Sequence, residues 1–222
     1  MKKASRLLSS VPVLALALSL VPHAASAATV PAITAFDEAF SKVNDYTVTV
    51  RAHEVKGDRT QDRTYHYFFK RPSLAKTDIV SGDGAGSGGV WIGTDQVHGH
   101  LKVGPFTFGK KVGIHDSQAT SLRGYTLPEG LIQNEVAKYA QLKGELTQRG
   151  GPTIDGIPTE EVDLKLEDPS QLDGVTRMAI YLSKETHFPI RQIRWDGDKI
   201  VADETFSDLK TNVGLSQNDF PF

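Results

Sequence analysis

Apolar and polar residues alternate with a period of two over much of this chain, and this alternation limits the fold more than any other feature. Residues 45–51 and 64–69 each place an aromatic or β-branched residue at every second position. Successive side chains of a strand point to opposite faces, so each segment has one apolar and one polar face. The turn-forming residues 56–58 lie between the two segments and predict an antiparallel hairpin.

The rest of the pattern predicts one large antiparallel sheet with few helices. Helical spacing of apolar residues predicts helices at residues 31–44 and 130–143. Further strands are predicted at residues 74–80, 90–93, 97–103, 161–166, 176–183, 190–195 and 199–209. A sheet with one apolar face must cover that face. The pattern leaves open a two-layer sandwich or a sheet that curls around a helix. Residues 103–128 show weak periodicity and predict a long excursion over the sheet that acts as a lid.

The N-terminal segment has the organisation of a secretory signal peptide. Basic residues precede an apolar run at residues 7–21, and Ala25 and Ala27 place small residues before a cleavage site. We therefore expect residues 1–27 to be removed and residues 28–222 to form a single domain in the periplasm or outside the cell.

The composition excludes several classes of protein. The chain has no cysteine, which excludes disulfides, thiolate metal sites and a lipid-bearing cysteine after the leader. Its 25 basic and 27 acidic side chains include no basic run. Nucleic acid and anionic membrane surfaces both select clustered Lys and Arg, so this charge pattern argues against both.

Two short motifs do not indicate catalysis. Residues 84–89 contain G-x-G-x-x-G, but a predicted strand follows instead of the helix that a dinucleotide site needs, so a hairpin loop is expected. Residues 73–76 match S-x-x-K without the partner motifs of penicillin-binding enzymes.

Three histidines are weak candidates for a metal site. His98 and His100 share one face of a predicted strand, and His115 offers a third nitrogen. A solvated polar strand face accounts for the same pattern, so we predict no metal, no cofactor and no catalytic residue. A histidine-based, metal-dependent hydrolase stays an alternative.

Several segments, spread from about residue 31 to the C-terminus, resemble the outer-membrane lipoprotein carrier (LolA-like) family. The sequence FKRPSL at residues 69–74 is similar to the family's apolar strand followed by a Lys-Arg-Pro turn. Residues 43–46, 78–91 and 219–222 resemble its helix-to-strand junction, its next hairpin and its closing strand. Residues 98–127 have no counterpart in the typical carrier.

The resemblance implies a strongly curved, half-closed antiparallel sheet with helices plugging its mouth and an apolar cavity between them. In carriers of this family the cavity holds acyl chains during transit through the periplasm. Arg71 then corresponds to the arginine that latches the lid helix through hydrogen bonds to its backbone. The candidate cavity residues are Tyr46, Val48, Val50, Tyr65, Tyr67, Phe69, Trp91, Leu164, Ile180 and Ile193. Packing of a sandwich core predicts the same residues inside.

Together these patterns lead us to expect a non-enzymatic carrier or binding protein for a lipid, a lipoprotein acyl chain or a similar amphiphile. Its partners would be a lipid or lipidated protein and, transiently, a membrane protein that donates or accepts the cargo. An envelope sensor or regulatory module of the same fold is the main alternative.

Overall fold

The computed structural model describes residues 30–221, so the predicted signal peptide lies outside the described residues. Within that range the chain forms two α-helices and eleven strands of one sheet. The helices are α1 (Pro31–Phe40) and α2 (Ile132–Gln141). The strands are β1 (Asp45–Lys56), β2 (Arg59–Lys70), β3 (Leu74–Gly82), β4 (Gly88–Trp91), β5 (Gln96–Val103), β6 (Phe106–Gly113), β7 (Gly144–Ile154), β8 (Ile157–Leu166), β9 (Arg177–Ser183), β10 (Pro189–Asp196) and β11 (Lys199–Thr211).

The sheet is antiparallel throughout, and β1 and β11, the first and last strands in the sequence, are neighbours in the middle of the sheet. Its order is β6-β5-β4-β3-β2-β1-β11-β10-β9-β8-β7. The predicted first hairpin is confirmed, because β1 and β2 pair without interruption from Asp45 opposite Lys70 to Lys56 opposite Arg59. The first four residues of the G-x-G-x-x-G segment form the turn between β3 and β4 and the last two begin β4, so the segment is part of a hairpin, as predicted.

Both helices cover the same face of the sheet, which we call the inner face, and the sheet curves around them. A flat sheet would separate β5 from β8 by about 38 Å. Nevertheless, Val97 of β5 and Leu164 of β8 belong to one core cluster with the two helices. The predicted half-closed, mainly β fold with helices in its mouth is therefore confirmed.

The sequence analysis missed the two strands at the edges of the sheet, β6 and β7. Both have mostly exposed side chains, so neither needs the apolar alternation on which the prediction relied. The predicted long excursion is accordingly wrong in part, because its first half is the second strand of a β5–β6 hairpin. Residues 114–127 alone are irregular, and they lie over the inner face together with α2.

Candidate functional site

The candidate site is the inner face beneath α2 and residues 114–131, which we together call the cover. Nine of the ten candidate cavity residues belong to the core cluster on this face or pack against it. Seven are buried in the cluster, while Tyr65 and Trp91 are partly buried against it. These residues form an apolar floor, and side chains of the two helices and of the cover pack directly on it.

Ile193 is the exception, because it lies on the opposite, outer face of the sheet. Its neighbours along β10, Gln192 and Arg194, point inward, and alternate residues of a strand face opposite ways. Ile193 instead lies opposite Asp203 and Ala179 across the sheet. Its prediction as a lining residue failed because the inward positions of this strand are polar.

Aromatic rings fix α1 to the floor. The ring of Phe36 stacks on Phe40 at 5.5 Å between centroids, and Phe40 lies 6.2 Å from Phe69. Tyr46 in turn lies 5.1 Å from Phe69. Such ring pairs add to the stability gained from burial alone. The helix is therefore an integral part of the core.

Arg71, the predicted latch, contacts the end of α1. Its Nε donates to the carbonyl of Val43 at 2.6 Å, and its Nη2 donates to the carbonyl of Phe40 at 3.0 Å. The guanidinium also lies 4.9 Å from the centre of the Phe40 ring. The side chain thus binds helix backbone, but the helix is α1. A role in ligand retention stays a prediction.

A buried charge cluster of Glu135, Arg194 and Glu204 joins α2 to the sheet. Arg194 is 0% exposed in its side chain, and its Nη2 donates to Oε2 of Glu135, which is 2% exposed. The same Nη2 lies 3.7 Å from Oε2 of Glu204 on the neighbouring strand. Lys138 binds the other oxygen of Glu135 at 2.9 Å. A buried charge needs such partners, so these contacts make the position of α2 specific.

The two carboxylates of the cluster have opposite pKa shifts. Burial favours a higher pKa for Glu135, but the charges of Arg194 and Lys138 outweigh it and lower the pKa. Burial raises the pKa of Glu204 to about 7; Arg194 opposes this shift, and the charges of Glu135 and Glu54 add to it. Glu135 is therefore the charged partner of Arg194 at neutral pH, and Glu204 gains or loses its proton near neutrality.

The charge cluster also has unused hydrogen-bonding capacity. Among the described residues, Nε and Nη1 of Arg194 and Oε2 of Glu204 are buried without a hydrogen-bond partner. Buried groups of this kind normally bind a partner, because leaving one unpaired costs about 1–3 kcal/mol. A small polar group from outside the chain would find two donors here.

Tyr46 and Arg123 hold the remaining cover. The backbone N–H of Ile132 donates to the Tyr46 hydroxyl at 3.1 Å, which connects the start of α2 to the floor. Arg123 donates to the carbonyl of Val55 at 2.8 Å and lies 3.2 Å from the carboxylate of Asp173. The cover is thus attached by hydrogen bonds and ion pairs, in addition to its own apolar contacts.

Sequence reasoning missed all of these attachments, although Glu135 left a signal. Glu135 lies between Ile132 and Tyr139 on the apolar face of α2, whereas Arg194 takes the polar position of an ordinary alternation with Ile193 and Trp195. A charge on the apolar face of a helix indicates a buried partner.

The histidines do not form a metal site. His98 and His100 lie on the outer face of β5, and Nε2 of His100 lies 3.9 Å from a carboxylate oxygen of Asp78. Within residues 30–221, no three His, Cys, Asp or Glu side chains are grouped as metal ligands. The structure therefore does not bring His115 together with the other two.

Two surface pockets lie away from the candidate cavity residues. One, of about 480 Å³, lies at the start of α1 and is lined by Val30, Pro31 and Glu38, among others. The other, of about 460 Å³, lies beside the β3–β4 turn and includes Asp78 and His100. Neither is lined by a residue of the apolar floor.

The chain is an open antiparallel sheet whose apolar inner face is covered by helices, and solved structures with a similar fold are known. The chain is similar to MucB, with 11% identity, 86% of this chain and 61% of MucB covered, and a TM-score of 0.52. It is also similar to the Mycobacterium tuberculosis lipoprotein LppX, with 16% identity and a TM-score of 0.49. This match covers 83% of the present chain and 95% of LppX. A LolA superfamily protein from Nitrosomonas europaea gives 13% identity and a TM-score of 0.42. This match covers 87% of the present chain and 99% of the other protein.

The match to MucB shows a shared fold, and the resemblance to LolA-like proteins is one of fold alone. No protein-family model matches the chain, and neither does any curated protein. Among the described residues, no helix has the length and apolar character needed to cross a membrane.

Proposed function

We propose that this protein is a periplasmic or secreted, non-enzymatic carrier or binding protein for an amphiphile, which it holds on the inner face when the cover opens. The observation that supports this proposal is the contrast between an apolar floor and a cover attached by buried polar contacts. Hydrogen bonds and ion pairs form only in defined geometries, so a cover attached by them has one defined closed position. A network of such contacts is lost together when the cover moves.

The burial of an acyl chain is large enough to offset the loss of the buried ion pair. Burial of an acyl chain contributes about 0.8 kcal/mol per methylene, so ten methylenes contribute about 8 kcal/mol. Breaking a buried ion pair such as Glu135–Arg194 costs about 3–5 kcal/mol. An acyl chain of ordinary length can therefore offset the loss of the ion pair, whereas a small apolar molecule cannot.

The polar end of the guest would meet the charge cluster. Arg194 offers two nitrogens that lack partners within the described residues. A carboxylate, phosphate or ester oxygen would satisfy them, because guanidinium donors match such acceptors. We therefore favour an amphiphile with an oxygen-rich head over a plain hydrocarbon.

Native mass spectrometry of protein exported from cells tests the proposal. We expect lipid adducts on the freshly purified protein or after exposure to lipids. Glu135→Gln should load faster because it weakens the attachment of α2. Asp203→Asn is the matched control, because it weakens an ion pair with Arg191 on the outer face of the same two strands.

A bare mass in every preparation, including Glu135→Gln exposed to lipids, would contradict the proposal. Recovery of a bound protein partner with no lipid would instead support the regulatory alternative. The intact mass also tests the predicted cleavage after Ala27, and cell fractionation tests the location.

A further inference from the structure

The β5–β6 hairpin carries an exposed apolar patch of Leu101, Phe106 and Phe108. These side chains are 52%, 65% and 56% exposed. Leu101 lies opposite Phe108 in the register, and the two phenylalanine rings lie 6.3 Å apart, so the three residues share one face. Large exposed apolar groups clustered at one place indicate an interaction surface.

The patch continues the inner face beyond the cover. Val97 and Val112 face each other on the same two strands, at positions that alternate in phase with Leu101 and Phe108. Both valines are buried, and Val97 belongs to the core cluster. The exposed patch is therefore connected by one strand face to the floor of the candidate site.

The hairpin is also positively charged, although the whole chain is not. Residues 96–115 contain Lys102, Lys110 and Lys111 and no acidic residue. All three lysines are exposed, and none forms an ion pair within residues 30–221. The charge balance of the whole chain concealed this local excess.

We propose that this basic hairpin docks on the surface of an anionic lipid bilayer. Its aromatic rings would enter the interface, with Lys110 on the face of the rings and Lys102 and Lys111 on the opposite face of the hairpin contacting anionic headgroups. Apolar rings and basic side chains together bind proteins to membrane surfaces. A second copy of the chain fits less well, because pairing of two β6 edges would bring Lys110 and Lys111 of both copies together. The small patch predicts weak, reversible and salt-sensitive binding.

Vesicle sedimentation with the exported protein tests docking without any cargo. We expect binding to vesicles that contain phosphatidylglycerol, weaker binding at high salt, and little binding to pure phosphatidylcholine. The double variant Phe106→Ser/Phe108→Ser should reduce binding at least tenfold. Lys110→Gln/Lys111→Gln should reduce it about fivefold for each lysine.

Two control variants separate docking from general surface properties. Ile200→Ser removes an apolar side chain that is 41% exposed on β11, and Lys165→Gln/Lys199→Gln removes two charges from other strands. Both should bind vesicles as the parent does. The substituted side chains are exposed, so circular dichroism should show unchanged folding.

Three outcomes would overturn the docking proposal. They are no binding to either kind of vesicle, equal binding by the hairpin and control variants, and a concentration-dependent dimer that the phenylalanine variant abolishes. Vesicle binding is measured without cargo, so its failure would leave the proposed carrier function standing, and a bare protein that still docks would leave this inference standing.

Discussion

Removing one member of the buried Glu135–Arg194 pair should destabilise the protein far more than removing both. Arg194→Met leaves the carboxylate of Glu135 buried with Lys138 as its remaining cationic contact. Glu135→Leu leaves the guanidinium of Arg194 with Glu204 at 3.7 Å. The double variant leaves neither charge and replaces the pair with apolar side chains of similar size.

The expected magnitudes follow from burial, because both side chains are at most 2% exposed. Loss of one partner from such a pair costs about 3–5 kcal/mol, because the other charge stays buried. The loss for Glu135→Leu should fall at the lower end, since removing Glu135 lets Glu204 ionise and pair with Arg194. Replacement of both partners is often close to neutral, so the coupling energy should be several kcal/mol.

Urea unfolding of the parent, both single variants and the double variant measures this coupling. The control cycle uses Arg191 and Asp203, a pair with a 2.5 Å contact on the same two strands but with side chains 37% and 26% exposed. Because solvent screens an exposed pair, its coupling should stay below about 1 kcal/mol. Hydrogen exchange in α2 should rise in the single variants only.

The coupling would be refuted if the stability losses of the two single variants simply add in the double variant. Additive behaviour within about 0.5 kcal/mol is what independent sites show. It would mean that the cover is held by its apolar contacts and that the charge cluster does not determine its position. Single variants as stable as the parent would lead to the same conclusion.

Two further predictions concern Glu204 and Arg71. Burial raises the pKa of Glu204 to about 7 from an ordinary value of 4.5, so the unfolded chain releases this proton at lower pH than the folded one. The free energy of unfolding should therefore fall by up to about 3 kcal/mol as pH rises from about 4.5 to 7. In urea titrations, Glu204→Gln should remove the contribution of Glu204 to this fall. The same pH dependence of stability in the parent and in Glu204→Gln would refute the prediction. Arg71→Leu removes two hydrogen bonds to the end of α1, so it should cost about 1–3 kcal/mol in thermal unfolding and alter ligand retention. The control Arg59→Leu, at the exposed first residue of β2, should do neither. Equal melting and equal retention for both variants would exclude the latch role.

The sequence predicted the strands that have one buried face and missed the strands that are mostly exposed. The central strands were predicted because one face of each packs against the helices, which requires apolar residues at alternate positions. The edge strands β6 and β7 carry Gly109, Gly150 and Gly151 and are mostly exposed, so their sequences resemble loops. Backbone pairing with one neighbour holds them in the sheet, and backbone pairing leaves no pattern in the side chains.

The residues of the candidate site were predicted correctly only on strands whose apolar side chains point to the inner face. This holds for β1 and β2, where Val48 and Tyr67 face the helices as expected. It fails on β10, where Arg194 points inward and the apolar Ile193 points outward. Only the position of α2 explains this inversion, because Glu135 is the partner that makes an inward arginine tolerable.

The polar attachments of the cover bear directly on the reversible binding that we propose. A cover held by apolar contacts alone would compete with an acyl chain for the same floor through the same non-directional force, and partial displacement would cost little at each step. Glu135 and Arg194 instead lose their pairing as a unit when α2 leaves the floor, because a separated buried charge is costly. Opening should therefore be cooperative, with a closed state that excludes weak guests and an open state that only a long apolar chain can stabilise.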